Sequence, residues 1–141
     1  MITQPVLLDT GPLVAILSRE DRYHQLCVQQ ARELRGPLYT TWPVVTEAAW
    51  LLRDTTRGLD SLLEMVSTTT VRCFHLDRLA CGWIRKQAEK YEDLQPQLAD
   101  LSLLHLAHQR KLRHIFTLDR RDFSVYRTAN GQPFTLLPPV L

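Results

Sequence analysis

Residues 6–17 read VLLDTGPLVAIL and set an aspartate, Asp9, in the middle of an otherwise apolar run. Burying a lone carboxylate is costly or forces it to take up a proton, so Asp9 needs a reason to be there. The run divides at that residue. Val6 to Leu8 reads as a buried strand, and GPLVAIL begins a helix, with Pro12 suited to a first turn where its missing N–H is not needed. Asp9 therefore falls at the carboxyl end of a strand, the edge at which open α/β sheets place their ligands.

The rest of the chain repeats that alternation. A helix is expected from about Asp21 to Leu34, with Tyr23, Leu26, Gln30/Ala31 and Leu34 at helical spacing and a stop at Gly36-Pro37. PLYTT reads as a second strand, and Pro43 opens the helix PVVTEAAWLLRD. LDSLLEMV is a short helix, TVRCFHL a third strand rich in β-favouring residues, and Asp77 is placed to cap the helix RLACGWIRKQAEKY. LADLSLLHLAHQRK is a strongly apolar helix, HIFTL a fourth strand and PFTLLP a fifth. Strands alternating with helices indicate parallel βαβ units and an α/β sandwich.

Composition narrows the class. The 141 residues suit one domain, 1–141, with a proper core. Seventeen Lys and Arg against fifteen Asp and Glu leave the chain mildly basic, which neither demands nor excludes nucleic acid. No apolar run reaches the roughly 18 to 20 residues that span a membrane, and the N-terminus has no signal-peptide pattern. Three cysteines, Cys27, Cys73 and Cys81, are widely spaced and read as reduced thiols of a cytoplasmic protein.

Four acids occupy positions that a purely structural carboxylate avoids. Asp9 and Asp119, in IFTLDRRDF, end the first and fourth strands. Glu47 has Pro43, Val44, Trp50 and Leu51 as its helical neighbours, and Asp100 has Leu103, Leu104 and Ala107 on its own face. Taken singly, Asp9 and Asp100 could serve helix N-termini and Asp119 a turn, whereas a mid-helix Glu47 has no capping role. Taken together, they could converge on one cleft, and like charges held that close do not all ionise without a cation. Hard oxygen ligands suit Mg²⁺ or Mn²⁺, ions that also bind substrate phosphates, so the pattern points to metal-assisted phosphoryl chemistry.

At this point the chain resembles PIN-domain ribonucleases of the VapC toxin type. LLDTGPLVAIL, TTWPVVTEAAWLL, LADLSLLHLAHQRKL and IFTLDRRDF match the family's motifs in the family's order over essentially the whole chain. The resemblance implies a three-layer α/β sandwich with a five-stranded parallel sheet of order 3-2-1-4-5. It carries the acidic quartet onto Asp9, Glu47, Asp100 and Asp119, with Thr10 and Thr117 as small hydroxyl neighbours at the RNA. Asp9 and Asp100 are then the expected direct metal ligands, and Glu47 and Asp119 complete the shell or orient the attacking water. Asp93 and Asp122 rank below the quartet as further ligands. The implied activity is Mg²⁺- or Mn²⁺-dependent hydrolysis of RNA, leaving a 5′-phosphate, by the toxin of a type II toxin–antitoxin pair. Such proteins are homodimers with a cognate antitoxin, and tRNA or another structured RNA is the expected substrate class.

A polyanion also needs cations near the cleft. Arg120 and Arg121, directly after Asp119, are the preferred phosphate contacts, with Lys111, Arg113, Arg127, Arg53 and Arg57 behind them. Other readings fit less well. Asp-Thr-Gly is also how aspartic proteases present their carboxylate, but those enzymes are β-rich and the helix at Pro12 replaces their continuation. A D-x-D phosphatase fails because position 11 is glycine, and a receiver-like module lacks its late-strand lysine. His105 with His108, and Cys73 with His75, are not close metal-ligand pairs of the zinc type, and Trp50, on the Glu47 face, is expected in the core by default, with contact to a base or a second subunit as the alternatives. The remaining alternative is a PIN-like module that binds RNA or a partner without cutting.

Overall fold

A computed structural model describes residues 2–141. Five short strands form one parallel sheet: β1 Val6–Leu8, β2 Leu38–Thr41, β3 Val71–Phe74, β4 His114–Phe116 and β5 Thr135–Leu137, in the order β3-β2-β1-β4-β5. Helices flank it: α1 Thr10–Leu17, α2 His24–Glu33, α3 Trp42–Leu51, α4 Gly58–Ser67, α5 Cys81–Lys90, α6 Leu98–Arg110 and the single turn α7 Arg120–Phe123. This is the α/β architecture and strand order that the family resemblance implied.

The central strand explains the apolar run. All three β1 residues are fully buried, because neighbours cover both edges and helices cover the faces. Leu7 pairs with Tyr39 on one side and Ile115 on the other, and Leu8 with Phe116. Three hydrogen bonds then fix the carboxyl edge. The Asp9 amide donates to the Phe116 carbonyl at 3.0 Å. Thr40 Oγ1 donates to the Leu8 carbonyl at 2.8 Å, and Thr41 Oγ1 lies 2.7 Å from Ser102 Oγ. Ser102 gives its own proton to the Ala99 carbonyl at 2.6 Å, so Thr41 must be the donor in that pair. The last residue of β2 is thereby clamped to α6 two positions beyond Asp100.

Two expected elements differ in detail. The helix expected from Asp21 starts at His24, because the Asp21 carboxylate accepts the Tyr23 amide at 2.8 Å and holds a local turn there. Its buried residues are Cys27 and Gln30. Asp77 does cap, but it caps a short 3-10 turn, Arg78–Ala80, that leads into α5. Gly36 is required by close approach: a Cβ there would collide with the Gln4 carbonyl. Among the described residues, no helix is long and apolar enough to cross a membrane.

Candidate active site

The site lies at the carboxyl edge of the sheet, where β1 and β4 hand over to helices. A cleft of about 460 Å³ there is lined by Asp9, Glu47, Asp100, Asp119 and Asp122, with Gly11, Gln95 and Gln97 among its other walls. The sequence quartet thus shares one cleft. Each acid reaches it from a different element, at the end of β1, on α3, in the first turn of α6 and before α7.

Asp9 is 7% exposed. Its Oδ1 accepts the Thr10 amide at 2.8 Å and its Oδ2 accepts the Thr117 hydroxyl at 2.7 Å. The Thr117 oxygen in turn accepts the Asp119 amide at 2.9 Å. One buried hydroxyl therefore holds the Asp9 carboxylate and the Asp119 backbone, which follow strands that are neighbours in the sheet. Asp119 Oδ1 accepts the Asp122 amide at 3.0 Å, so it caps the turn α7 while facing the cleft. Asp100 Oδ2 accepts the Tyr126 hydroxyl at 3.2 Å. Tyr126 is fully buried, with its ring edge-on to Tyr91 and Phe123.

The electrostatics are those of carboxylates crowded without a counter-charge. Burial pushes the Asp9 carboxyl up to about 6, against the two hydrogen bonds from Thr117 and Thr10, and Asp119 and Glu47 add to the rise. Burial also pushes Asp100 up to about 7, with Asp9 beside it adding repulsion and the Tyr126 bond opposing. Asp122 is raised by burial and by Asp119, while Arg121 opposes. Tyr126 is pushed up as well, by burial first and then by Asp100.

The tightest set of oxygens comes from Asp100, Asp119 and Asp122, which lie within 4.8 Å of one another. Asp9 and Glu47 line the same cleft without joining that trio. Asp122, ranked below the quartet in the sequence, is one of the trio, whereas Asp93 is exposed on a 3-10 turn, Glu92–Leu94, and does not line the cleft. The residues present fit a divalent cation. The donors are all hard oxygens, and Asp122 Oδ1 and Thr10 Oγ1 are buried at the cleft with no hydrogen-bond partner among the described residues.

The hydroxyls and cations are placed differently from their expected roles. Thr117 is 0% exposed, so it cannot touch RNA and instead positions Asp9 and Asp119. Thr10 is buried beside the cleft. Arg120 turns its guanidinium to the Pro138 carbonyl, and Arg127 donates to the carbonyls of Ser124, Val125 and Tyr126. Arg57 pairs with Asp60 at 2.6 Å, and Arg53 lies over the Trp50 ring at 4.1 Å. Lys111 and Arg113 precede β4 and line a separate groove, so they belong to the opposite edge of the sheet. Arg121 remains largely exposed beside the acids, 3.7 Å from Asp122 Oδ1. Trp50 is 65% exposed and not in the core, which leaves the Glu47 face of α3 half open. Tyr126 is the residue that sequence reasoning missed, since nothing in SVYR signals a bond to an acid 26 positions away.

Comparison with known proteins bears on the chain and its fold as a whole. No family model matches the chain. The chain is 28% identical over 136 residues to Ribonuclease VapC26 of Mycobacterium tuberculosis (strain ATCC 25618 / H37Rv), covering 94% of this chain and 100% of that protein. The crystal structure of Mycobacterium tuberculosis VapC20, a sarcin-ricin loop cleaving toxin, superposes with a TM-score of 0.76 at 15% identity, covering 82% of this chain and 91% of that one. In sequence along nearly its whole length the chain is similar to one VapC ribonuclease, and in fold to a second VapC protein.

Proposed function

We propose that the protein is a metal-dependent endoribonuclease, the toxin of a toxin–antitoxin pair, acting on tRNA or another structured RNA. The observation that carries this reading is the convergence of Asp9, Glu47, Asp100, Asp119 and Asp122 on one cleft at the carboxyl edge of the sheet. A ribonuclease relative along nearly its whole length supports RNA as the substrate class.

Asp100, Asp119 and Asp122 are the residues that would hold Mg²⁺ or Mn²⁺, with Asp9 alongside. Such an ion, when bound, offsets the carboxylates' mutual repulsion, lowers the pKa of water and steadies charge at the phosphate. The chain's own part is positional. Thr117 and the Thr10 amide keep the Asp9 oxygens from rotating, and Tyr126 does the same for Asp100. Glu47 faces them from α3 and is placed to accept a proton from the attacking water. Water oxygen bonds to phosphorus, the bond from phosphorus to the 3′ oxygen breaks, and that oxygen takes a proton. The products are a 5′-phosphate and a 3′-hydroxyl. Arg121 is the side chain best placed to meet a neighbouring phosphate. We place this 141-residue domain in the cytoplasm, as a homodimer held in check by an antitoxin.

The test is cleavage of total tRNA by the antitoxin-free protein with Mn²⁺, with Mg²⁺ and with excess chelator, beside Asp100→Asn. Discrete fragments that require both metal and Asp100 are the expected result. Intact RNA in every lane from folded protein overturns the nuclease reading in favour of a binding role.

A further inference from the structure

A second groove of about 710 Å³ adjoins the acidic cleft, and Glu47 and Gln97 belong to the walls of both. Its other walls include Trp42, His75 and Leu98. Trp42 opens α3 five residues before Glu47 and is 38% exposed, an unusual position for the largest apolar side chain. Its ring centroid lies 6.4 Å from that of His75, with the planes inclined by 37°, so the two rings are splayed rather than stacked on each other.

Polar groups at the edges are unspent. Gln97 occupies the N-cap position of α6, yet its side chain makes no capping bond, leaving the amide free to pair with something else. Thr46 gives its proton to the Trp42 carbonyl at 2.9 Å and keeps its acceptor capacity toward the groove. No lysine or arginine lines it, so it is not built for phosphate. Flat aromatic faces with amide and imidazole groups at their edge match what an unpaired nucleobase presents: a π face and a hydrogen-bonding rim.

We infer that this groove is a nucleobase subsite. A base flanking the phosphate held in the acidic cleft stacks on Trp42, and Gln97 and His75 read its edge. The inference rests on the ribonuclease reading and gives it a source of sequence preference that the carboxylates alone lack. The shared wall is what joins the two spaces, because a nucleotide's base and phosphate are only one sugar apart.

The experiment uses the full chain carrying Asp100→Asn, titrated with the four homopolymeric hexaribonucleotides, reading anisotropy of the labelled strand and tryptophan emission. One base is expected to bind best and to quench emission. Adding Trp42→Leu should weaken that strand about tenfold or more, on the order of one base–aromatic stack. Trp42→Phe should restore most of the affinity, and Trp50→Phe should leave it unchanged. Equal affinity with and without Trp42 overturns the subsite, as does the absence of any binding. Loss of a dimer in Trp42→Leu, with RNA affinity per chain unchanged, makes this face a subunit contact and also overturns it. Metal-dependent cleavage with Trp42-independent binding removes the subsite alone. Trp42-dependent binding without cleavage by the Asp100 protein removes the nuclease reading alone.

Discussion

Thr117 shows how a residue with no access to solvent can govern the chemistry of a cleft. Its hydroxyl donates to Asp9 and accepts from the Asp119 amide, so removing it frees one carboxylate and leaves a buried N–H unpaired. Thr117→Val keeps the shape and loses both bonds, and should cost about 1–3 kcal/mol in urea denaturation. Thr117→Ser should recover most of it. A Val variant as stable as the parent would show that the network holds nothing together. Tyr126→Phe is the parallel case on Asp100. The Tyr126 bond favours the ionised carboxylate, so its loss raises Asp100 further. RNA cleavage at pH 7 should fall several-fold and recover at higher pH, displacing the rate profile toward alkali. An unshifted profile would mean that Asp100 does not need to be ionised for turnover. Asp9→Asn and Asp100→Asn should each cost at least ~100-fold in cleavage, the scale of losing a charge that holds a metal.

At the scale of elements, the acids meet because the strand ends are locked to the helices that follow and cross them. The Thr41–Ser102–Ala99 chain ties β2 to α6 and so sets how far Asp100 stands from the end of β1. Thr41→Val and Ser102→Ala should each destabilise by roughly 1–2 kcal/mol, and the double variant by about 1 kcal/mol less than their sum, since they share one bond. Strict additivity in that double-mutant cycle would rule out the coupling. How much of this was legible in the sequence follows the same division. Asp9 at a strand end, Glu47 in mid-helix and the alternation of strands and helices could be read directly, because local patterns produce them. Asp122 outranked Asp93 only once α7 curled back over the cleft, since both lie in acid-containing turns. Tyr126 was hidden because its role is a tertiary bond from a segment without a motif. Arg120 looked like a phosphate contact by its place after Asp119, but the Pro138 carbonyl beside β5 claims its guanidinium. Trp50 was expected inside because it follows Glu47 by three, yet that side of α3 opens to solvent with Arg53 over the ring.

For the molecule as a whole, the cleft is a destabilising feature that a cation would relieve. Asp9 takes up its proton near 6 and Asp100 near 7 in the folded chain, against an ordinary 3.8. Between those limits the folded state holds more protons than the unfolded state, so stability falls as pH rises and the loss is complete above about 7. For Asp9 alone the shift corresponds to roughly 3 kcal/mol, since each pKa unit is about 1.4 kcal/mol. Metal-free protein in chelator should therefore melt about 10 °C lower at pH 8 than at pH 5, at the usual few degrees per kcal/mol for a chain of this size. Millimolar Mg²⁺ or Mn²⁺ should flatten that slope from the high-pH side, because a cation removes the penalty for ionising carboxylates held together. Asp100→Asn should flatten it too, in chelator, by deleting one member of the repelling set, and should blunt the response to metal. A melting temperature that does not change between pH 5 and pH 8 in chelator, with or without Asp100, would show that the carboxylates ionise freely in the folded chain. The cleft would then lack the electrostatic pressure from which the metal site is argued.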